Sequence, residues 1–177
     1  VSDSQHPEPK KPAEPAVTTL VVPGVVDVVV LSRIAGGAAD GDRWQVLTLQ
    51  RGPNTRCTGA WEIVHGRIER DEKPEHAALR EIVEETGLAA LRLYSITVQA
   101  FYLHQIGTVQ LAIVFAAVVD GDVPVTLGSE HSRAEWRTFA GASEILAWPR
   151  EREALAHVQQ LLKNGDAGPV EDVLRVL

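Results

Sequence analysis

Gly66-Arg-Ile-Glu-Arg-Asp-Glu72-Lys-Pro74-Glu-His-Ala-Ala-Leu79-Arg80-Glu81-Ile-Val-Glu84-Glu85-Thr-Gly87-Leu88 is the stretch from which the rest of the chain can be read. Its second half has helical spacing over Glu75 to Thr86. Pro74 suits the first helical position and Gly87 the left-handed residue just past the end, although Lys73 is a poor N-cap. On a helical wheel Leu79, Ile82, Val83 and Thr86 share one side, which is expected to face a sheet, and Glu81, Glu84 and Glu85 share the other. Three glutamates on a non-core face are ordinarily a solvated surface. Here Glu81 and Glu85 are like charges at i and i+4, and neither has a Lys or Arg one turn on. Such a cluster gains most from a hard divalent cation. Mg2+, with Mn2+ as a substitute, takes oxygen ligands and keeps waters that substrate phosphates can replace.

Upstream, Val25 to Leu31 is dense in β-branched residues, and the apolar run Leu20 to Leu31 reads as a buried strand, too short and too interrupted to span a bilayer. Trp44 to Gln50 alternates at period two as a second strand, with Ala35 to Gly41 as the loop between them. Downstream, Leu91 to Leu103 and Thr108 to Val119 form a hairpin around Gln105, Ile106 and Gly107, in a sheet expected to be mixed. Further helical spacing covers Glu151 to Lys163 and the last residues, Val170 to Leu177. Strands interrupted by a few helices, with no repeat and no regular βα alternation, predict an α+β sandwich.

Residues 1–17 carry Pro7, Pro9, Pro12 and Pro15 among charged residues, a composition that reads as a flexible tail, leaving 18–177 as one domain. The chain has 177 residues, 45% of them hydrophobic, enough for one core. Its formal charge of -7 speaks against nucleic-acid polymers and anionic membranes as partners. Cys57 is the only cysteine, so neither a disulfide framework nor a thiolate-rich zinc site is expected. With no basic segment leading into an apolar run at the start, a cytoplasmic setting is expected.

The quoted stretch resembles the Nudix box at every specified position: a Gly, five residues, Glu, seven residues, Arg-Glu, an aliphatic, any residue, Glu-Glu, any residue, Gly and an aliphatic. Those positions are Gly66, Glu72, Arg80, Glu81, Ile82, Glu84, Glu85, Gly87 and Leu88. The resemblance implies an α/β/α sandwich with a mixed sheet and a loop-helix-loop site. Glu81, Glu85 and Glu84 would bind the metal, and the Gly66 carbonyl would assist. Arg80 and Glu72 would brace the loop, unless they are an ordinary surface ion pair. Ser129-Glu130-His131 leading to Trp136 looks like the Glu-His then Trp of many such domains. Glu130 would be a ligand or general base, against the alternative of a plain loop carboxylate, and His131 a hydrogen-bonding support.

Outside the box, Val64-His65-Gly66 stands where many members have Pro-Gly-Gly, which argues against the coenzyme A branch. The absence of proline between Pro74 and Pro124 argues against ADP-ribose as substrate. Trp61, Phe101-Tyr102, Glu130-His131 and Trp148-Pro149-Arg150 together look most like the branch acting on dATP and dihydroneopterin triphosphate. Diadenosine polyphosphate and ADP-ribose hydrolases are the enzymatic alternatives, and a binding-only sensor the non-enzymatic one, although sensors commonly lose box glutamates and none is lost here. Tyr102 would contact the substrate base, or belong to the core, and Arg51 and Arg56 would hold phosphates, or be solvated. The expected partner is a small nucleotide, and the C-terminal helices leave open packing on the sandwich or against a second subunit as a homodimer.

Overall fold

A computed structural model describes residues 18–34 and 43–177; the expected tail at 1–17 and the loop at 35–41 lie outside the described residues. The chain runs β1 (Leu20–Arg33), β2 (Trp44–Arg51), β3 (Trp61–Glu62), β4 (Val64–Arg67), α1 (Pro74–Thr86), β5 (Ala90–Leu103), β6 (Thr108–Val119), β7 (His131–Arg137), α2 (Phe139–Ile145), α3 (Pro149–Leu162), a 3-10 turn (Gly168–Val170) and α4 (Glu171–Leu174). The described strands form one mixed sheet of order β3-β2-β1-β6-β5, with β4 joined to β1 and β7 to β2. β1 runs parallel to β6, and the remaining strand pairs are antiparallel.

Period-two alternation along β1 divides the core into two layers. Val26, Val28 and Val30 pack with Leu47, Leu49, Ala77, Ala78 and Ile82 beneath α1. Val29 and Leu31 pack with Trp44, Val46, Leu146, Leu155 and Val158 beneath α2 and α3. Helices on both faces make the expected α+β sandwich. Trp44 fastens α3 by donating its indole N–H to the Leu162 carbonyl at 2.9 Å. No helix among the described residues is long and apolar enough to cross a membrane.

The expected strands at β2, β5 and β6 are observed to within one residue at either end, and the hairpin turns at Gly107 with φ 65°. Helix α1 begins at Pro74 without a side-chain cap and ends at Gly87, whose φ of 70° is left-handed and whose N–H caps the Val83 carbonyl. Three expectations need correction. The run Leu20 to Leu31 is buried only from Val25 inward; Leu20 is 61% exposed where β1 extends past β4. Helix α1 is rotated from the expected wheel: Ala77, Ala78, Ile82, Glu85 and Thr86 are buried, and Val83 is 54% exposed. Two small alanines allow the closest approach to the sheet, so they, rather than the bulky Leu79 and Val83, set the buried face. Lastly, Val170 to Leu177 is helical only over Glu171–Leu174, after which Val176 donates to the Leu93 carbonyl at 2.7 Å and the chain runs extended beside β5.

Candidate active site

Alternation also decides which side chains meet α1. In the extended segment 62–66, Glu62, Val64 and Gly66 are two residues apart and share the α1 face, as the pairing of Leu49 with Glu62 and of Val26 with Gly66 requires. Arg51 and His131 are register partners on the same face of β2 and β7. The β6–β7 loop lies along the end of α1, with Thr126 N–H donating to the Thr86 carbonyl at 2.8 Å and Gly128 N–H to the Glu85 carbonyl at 3.1 Å. Those bonds bring Glu130 toward the helix.

The geometry brings Gly66, Glu81, Glu85 and Glu130 of the expected residues into one region. Gly66 passes under Glu81 so closely that a Cβ there would stand 1.8 Å from the Glu81 Cδ, so no other residue fits without moving that carboxylate. Arg80 organises the approach. Its Nε and Nη2 donate to the two Glu72 oxygens at 3.0 and 2.9 Å, Nη2 also to the Arg67 carbonyl at 2.8 Å, and Nη1 to Glu81 at 2.7 Å and Glu84 at 3.1 Å. The bonds from Arg80, and one from the Glu69 N–H at 2.9 Å, hold the Glu72 carboxyl down to about 2. Arg80 thereby offsets the repulsion at Glu81 and Glu84, although Glu81 was expected to have no cation one turn on.

For Glu85 only a backbone hydrogen bond at His65 works to lower the carboxyl. Glu85 is 8% exposed and its Oε2 has no hydrogen-bond partner. Burial, followed by the like charges of Glu81, Glu62 and Glu130, pushes its carboxyl up to about 9. Burial also raises Glu81, against the opposing pull of Arg80.

Glu62 belongs to this region and was missed in the sequence. It is buried, accepts from Arg51 Nη1 at 2.8 Å and lies 3.0 Å from His131 Nε2. Burial works to raise its carboxyl, but His131 and Arg51 outweigh burial and hold it below the ordinary value. The readable signal was its spacing of four residues from Gly66 in an extended segment. His131, expected as a hydrogen-bonding support, is buried against Glu62. Arg51, expected to hold phosphate, spends its donors on Glu62, on Glu130 at 3.3 Å and on the Arg56 carbonyl at 2.6 Å; Arg56 is itself exposed. Tyr102 is not brought to the carboxylates. It is 59% exposed, and its register through Val109 to Val21 puts it five residues along β1 from Val26, about 16 Å at the strand rise.

An orphaned, buried carboxylate oxygen on Glu85, and a Gly66 backbone that the Glu81 carboxylate can approach because no Cβ intervenes, fit a hard cation with oxygen ligands. Among the described residues no three His, Cys, Asp or Glu side chains already converge as a ligand set, and Glu81 is turned to Arg80. Fold and site together define a sheet-centred sandwich with a carboxylate-bearing helix laid over a glycine.

The family model for the NUDIX domain matches residues 28–158. The chain belongs to the Nudix family. It is 36% identical over 117 residues to an octanoyltransferase of Myxococcus xanthus, covering 65% of this chain and 32% of that protein. It is 54% identical over 41 residues to an ADP-ribose pyrophosphatase of Bacillus subtilis, covering 23% and 21%. The chain therefore spans about a third or less of the length of these curated relatives. An Ap4A hydrolase of Caenorhabditis elegans has the same fold, with a TM-score of 0.62 at 20% identity over 78% of this chain and 96% of that one.

Proposed function

We propose that this chain is a divalent-cation-dependent pyrophosphohydrolase that cuts a phosphoanhydride bond in a nucleoside diphosphate derivative, its residues 18–177 acting as one domain. The observation that carries the reading is Glu85: a carboxylate held out of water among Glu81, Glu62 and Glu130, with an oxygen that nothing satisfies. A helix built only for stability would not retain that arrangement.

Glu81 and Glu85 would hold the cation, with Glu84 beside them and the Gly66 carbonyl at its rim. Glu81 leaves Arg80 to do so, and Arg80 keeps Glu72 and the Arg67 carbonyl as anchors. Mg2+, or Mn2+ in its place, would supply charge neutralisation at the bridging phosphates and a polarised water. Glu130, with its side chain 61% exposed, is open to take the proton of an attacking water, and Arg51 steadies it. Retention of every box glutamate favours turnover over a binding-only role.

A (deoxy)nucleoside triphosphate or dihydroneopterin triphosphate is the preferred substrate class, with diadenosine polyphosphates second and ADP-ribose third. The names of the two relatives with hydrolytic descriptions keep the latter two in play. Tyr102 can reach only a long substrate from its position. The test is product release from dATP, other nucleoside triphosphates, dihydroneopterin triphosphate, ADP-ribose and diadenosine polyphosphates, with Mg2+ and with chelator. Chelator-sensitive cleavage that Glu85→Gln reduces by orders of magnitude is expected; silence of the folded protein across the panel refutes the enzyme and favours a sensor.

A further inference from the structure

On the other face of the sheet a second charged cluster sits directly behind Gly66. Asp27 interrupts the valine run of β1 and is fully buried, pointing away from α1 between Val26 and Val28. Its register partner on β4 is His65, the residue before Gly66, whose Nδ1 lies 2.6 Å from Asp27 Oδ1. Arg150, in the first turn of α3, donates from Nε to Asp27 Oδ2 at 2.9 Å and from Nη2 to Oδ1 at 3.1 Å, with its guanidinium 4.8 Å from the centre of the Phe101 ring. Glu151 is fully buried beside it, with Arg150 at 3.6 Å.

A carboxylate in the middle of a sheet is kept only when it is well paired. Here the pairing costs the protein an arginine from a helix 123 residues away and a histidine where many members of the family have a glycine. The 2.6 Å contact makes His65 Nδ1 the donor, so the ring is pinned by an acceptor that Arg150 holds in turn. His65 and Gly66 are consecutive in β4, and Gly66 lies directly under the Glu81 carboxylate, so a shift of β4 changes the space between Gly66 and Glu81.

We propose that Arg150, Asp27 and His65 are positioning residues that fix the β4 backbone at Gly66, and through it the seat of the cation, making α3 part of the active-site framework. The proposal rests on the cation-binding reading above. A purely structural role for the cluster would change folding and leave cation affinity alone.

The experiment compares Arg150→Met, Arg150→Lys and His65→Gly with Leu155→Ala, a buried α3 residue of the apolar cluster. Mn2+ affinity is read by electron paramagnetic resonance at a temperature where every variant is folded, and kcat and KM are measured on the best substrate. Arg150→Met is expected to weaken Mn2+ binding and lower kcat by about 10- to 100-fold with KM changed less than about threefold, and Arg150→Lys to restore part of the loss. His65→Gly keeps the Arg150–Asp27 pair and tests the ring alone, including the case in which Arg150→Met does not fold; a weakening of about fivefold or more is expected. In the wild-type protein without added metal, imidazole 15N shifts are expected to report the proton on His65 Nδ1. Unchanged Mn2+ affinity in His65→Gly, or an equal loss in Leu155→Ala, overturns the proposal while leaving the cation reading intact. Failure of the wild-type protein to bind Mn2+ overturns both.

Discussion

Glu85→Gln should stabilise the protein in chelator and destabilise it, relative to wild type, in Mg2+. The folded protein raises this carboxyl from 4.5 to about 9. Between those values the folded chain keeps a proton that the unfolded chain has lost, so the stability held below pH 4.5 drains away as pH rises toward 9. At 1.36 kcal/mol per unit, the 2.5 units between 4.5 and pH 7 are worth about 3 kcal/mol, and the whole window about 6. Both are ceilings, because relaxation and water entry soften the penalty. Glutamine has the same shape and no proton to lose, so the variant should gain up to about 3 kcal/mol at pH 7, roughly 10 °C in Tm for a domain of this size, and more at pH 9. The assay is urea unfolding of both proteins at pH 5, 7 and 9 with chelator, then with saturating Mg2+. A cation that binds only the folded wild type adds about 4.1 kcal/mol at a thousandfold excess over Kd, more than the ceiling of about 3 at pH 7, and should reverse the order there. A difference between the two proteins that does not change between pH 5 and 9, or a variant less stable than wild type in chelator at pH 9, would refute the reasoning.

Arg80→Lys keeps the charge but loses the planar fork that reaches Glu72, Glu81 and the Arg67 carbonyl together, so kcat/KM should fall about 10- to 100-fold with near-normal circular dichroism. Gly66→Ala drives a methyl group into Glu81 and should cost activity on the order of 100-fold, while Tm moves only a few degrees; normal turnover would mean that Glu81 is not needed where it stands. Tyr102→Ala separates substrates by length. KM should rise severalfold for a diadenosine polyphosphate and stay within about twofold for dATP, and an equal effect on both would contradict the distance implied by the strand register.

Much of the fold was written in local pattern. Pro74 and Gly87 bracket α1 because one lacks a donor that the first turn does not use and the other accepts a left-handed backbone. Alternation and β-branching marked β2, β5 and β6, and the Gly107 turn joined the last two. The spacing of Gly66, Arg80, Glu81 and Glu85 carried the family resemblance and the carboxylates the structure brings into one region. The wheel failed at Glu85 and Val83, because periodicity reports that a helix has two faces and the neighbour decides which one it covers. Local pattern also overextended the C-terminal helix, where pairing with Leu93 draws the chain into an extended path.

The sequence by itself marked β1, β2, β5, β6, α1, α3 and the box, since these depend on residues within a turn or a strand of one another, whereas β3, β4, β7 and α2 were visible only in the structure. Only the tertiary structure joined Glu62 to His131, 69 residues on, and Asp27 to Arg150, 123 residues on. A buried charge carries no local mark of its partner. The sheet supplies that partner by setting two distant backbones in register, and the energy that selects it, the cost of leaving the charge unpaired out of water, exists only once the core has closed.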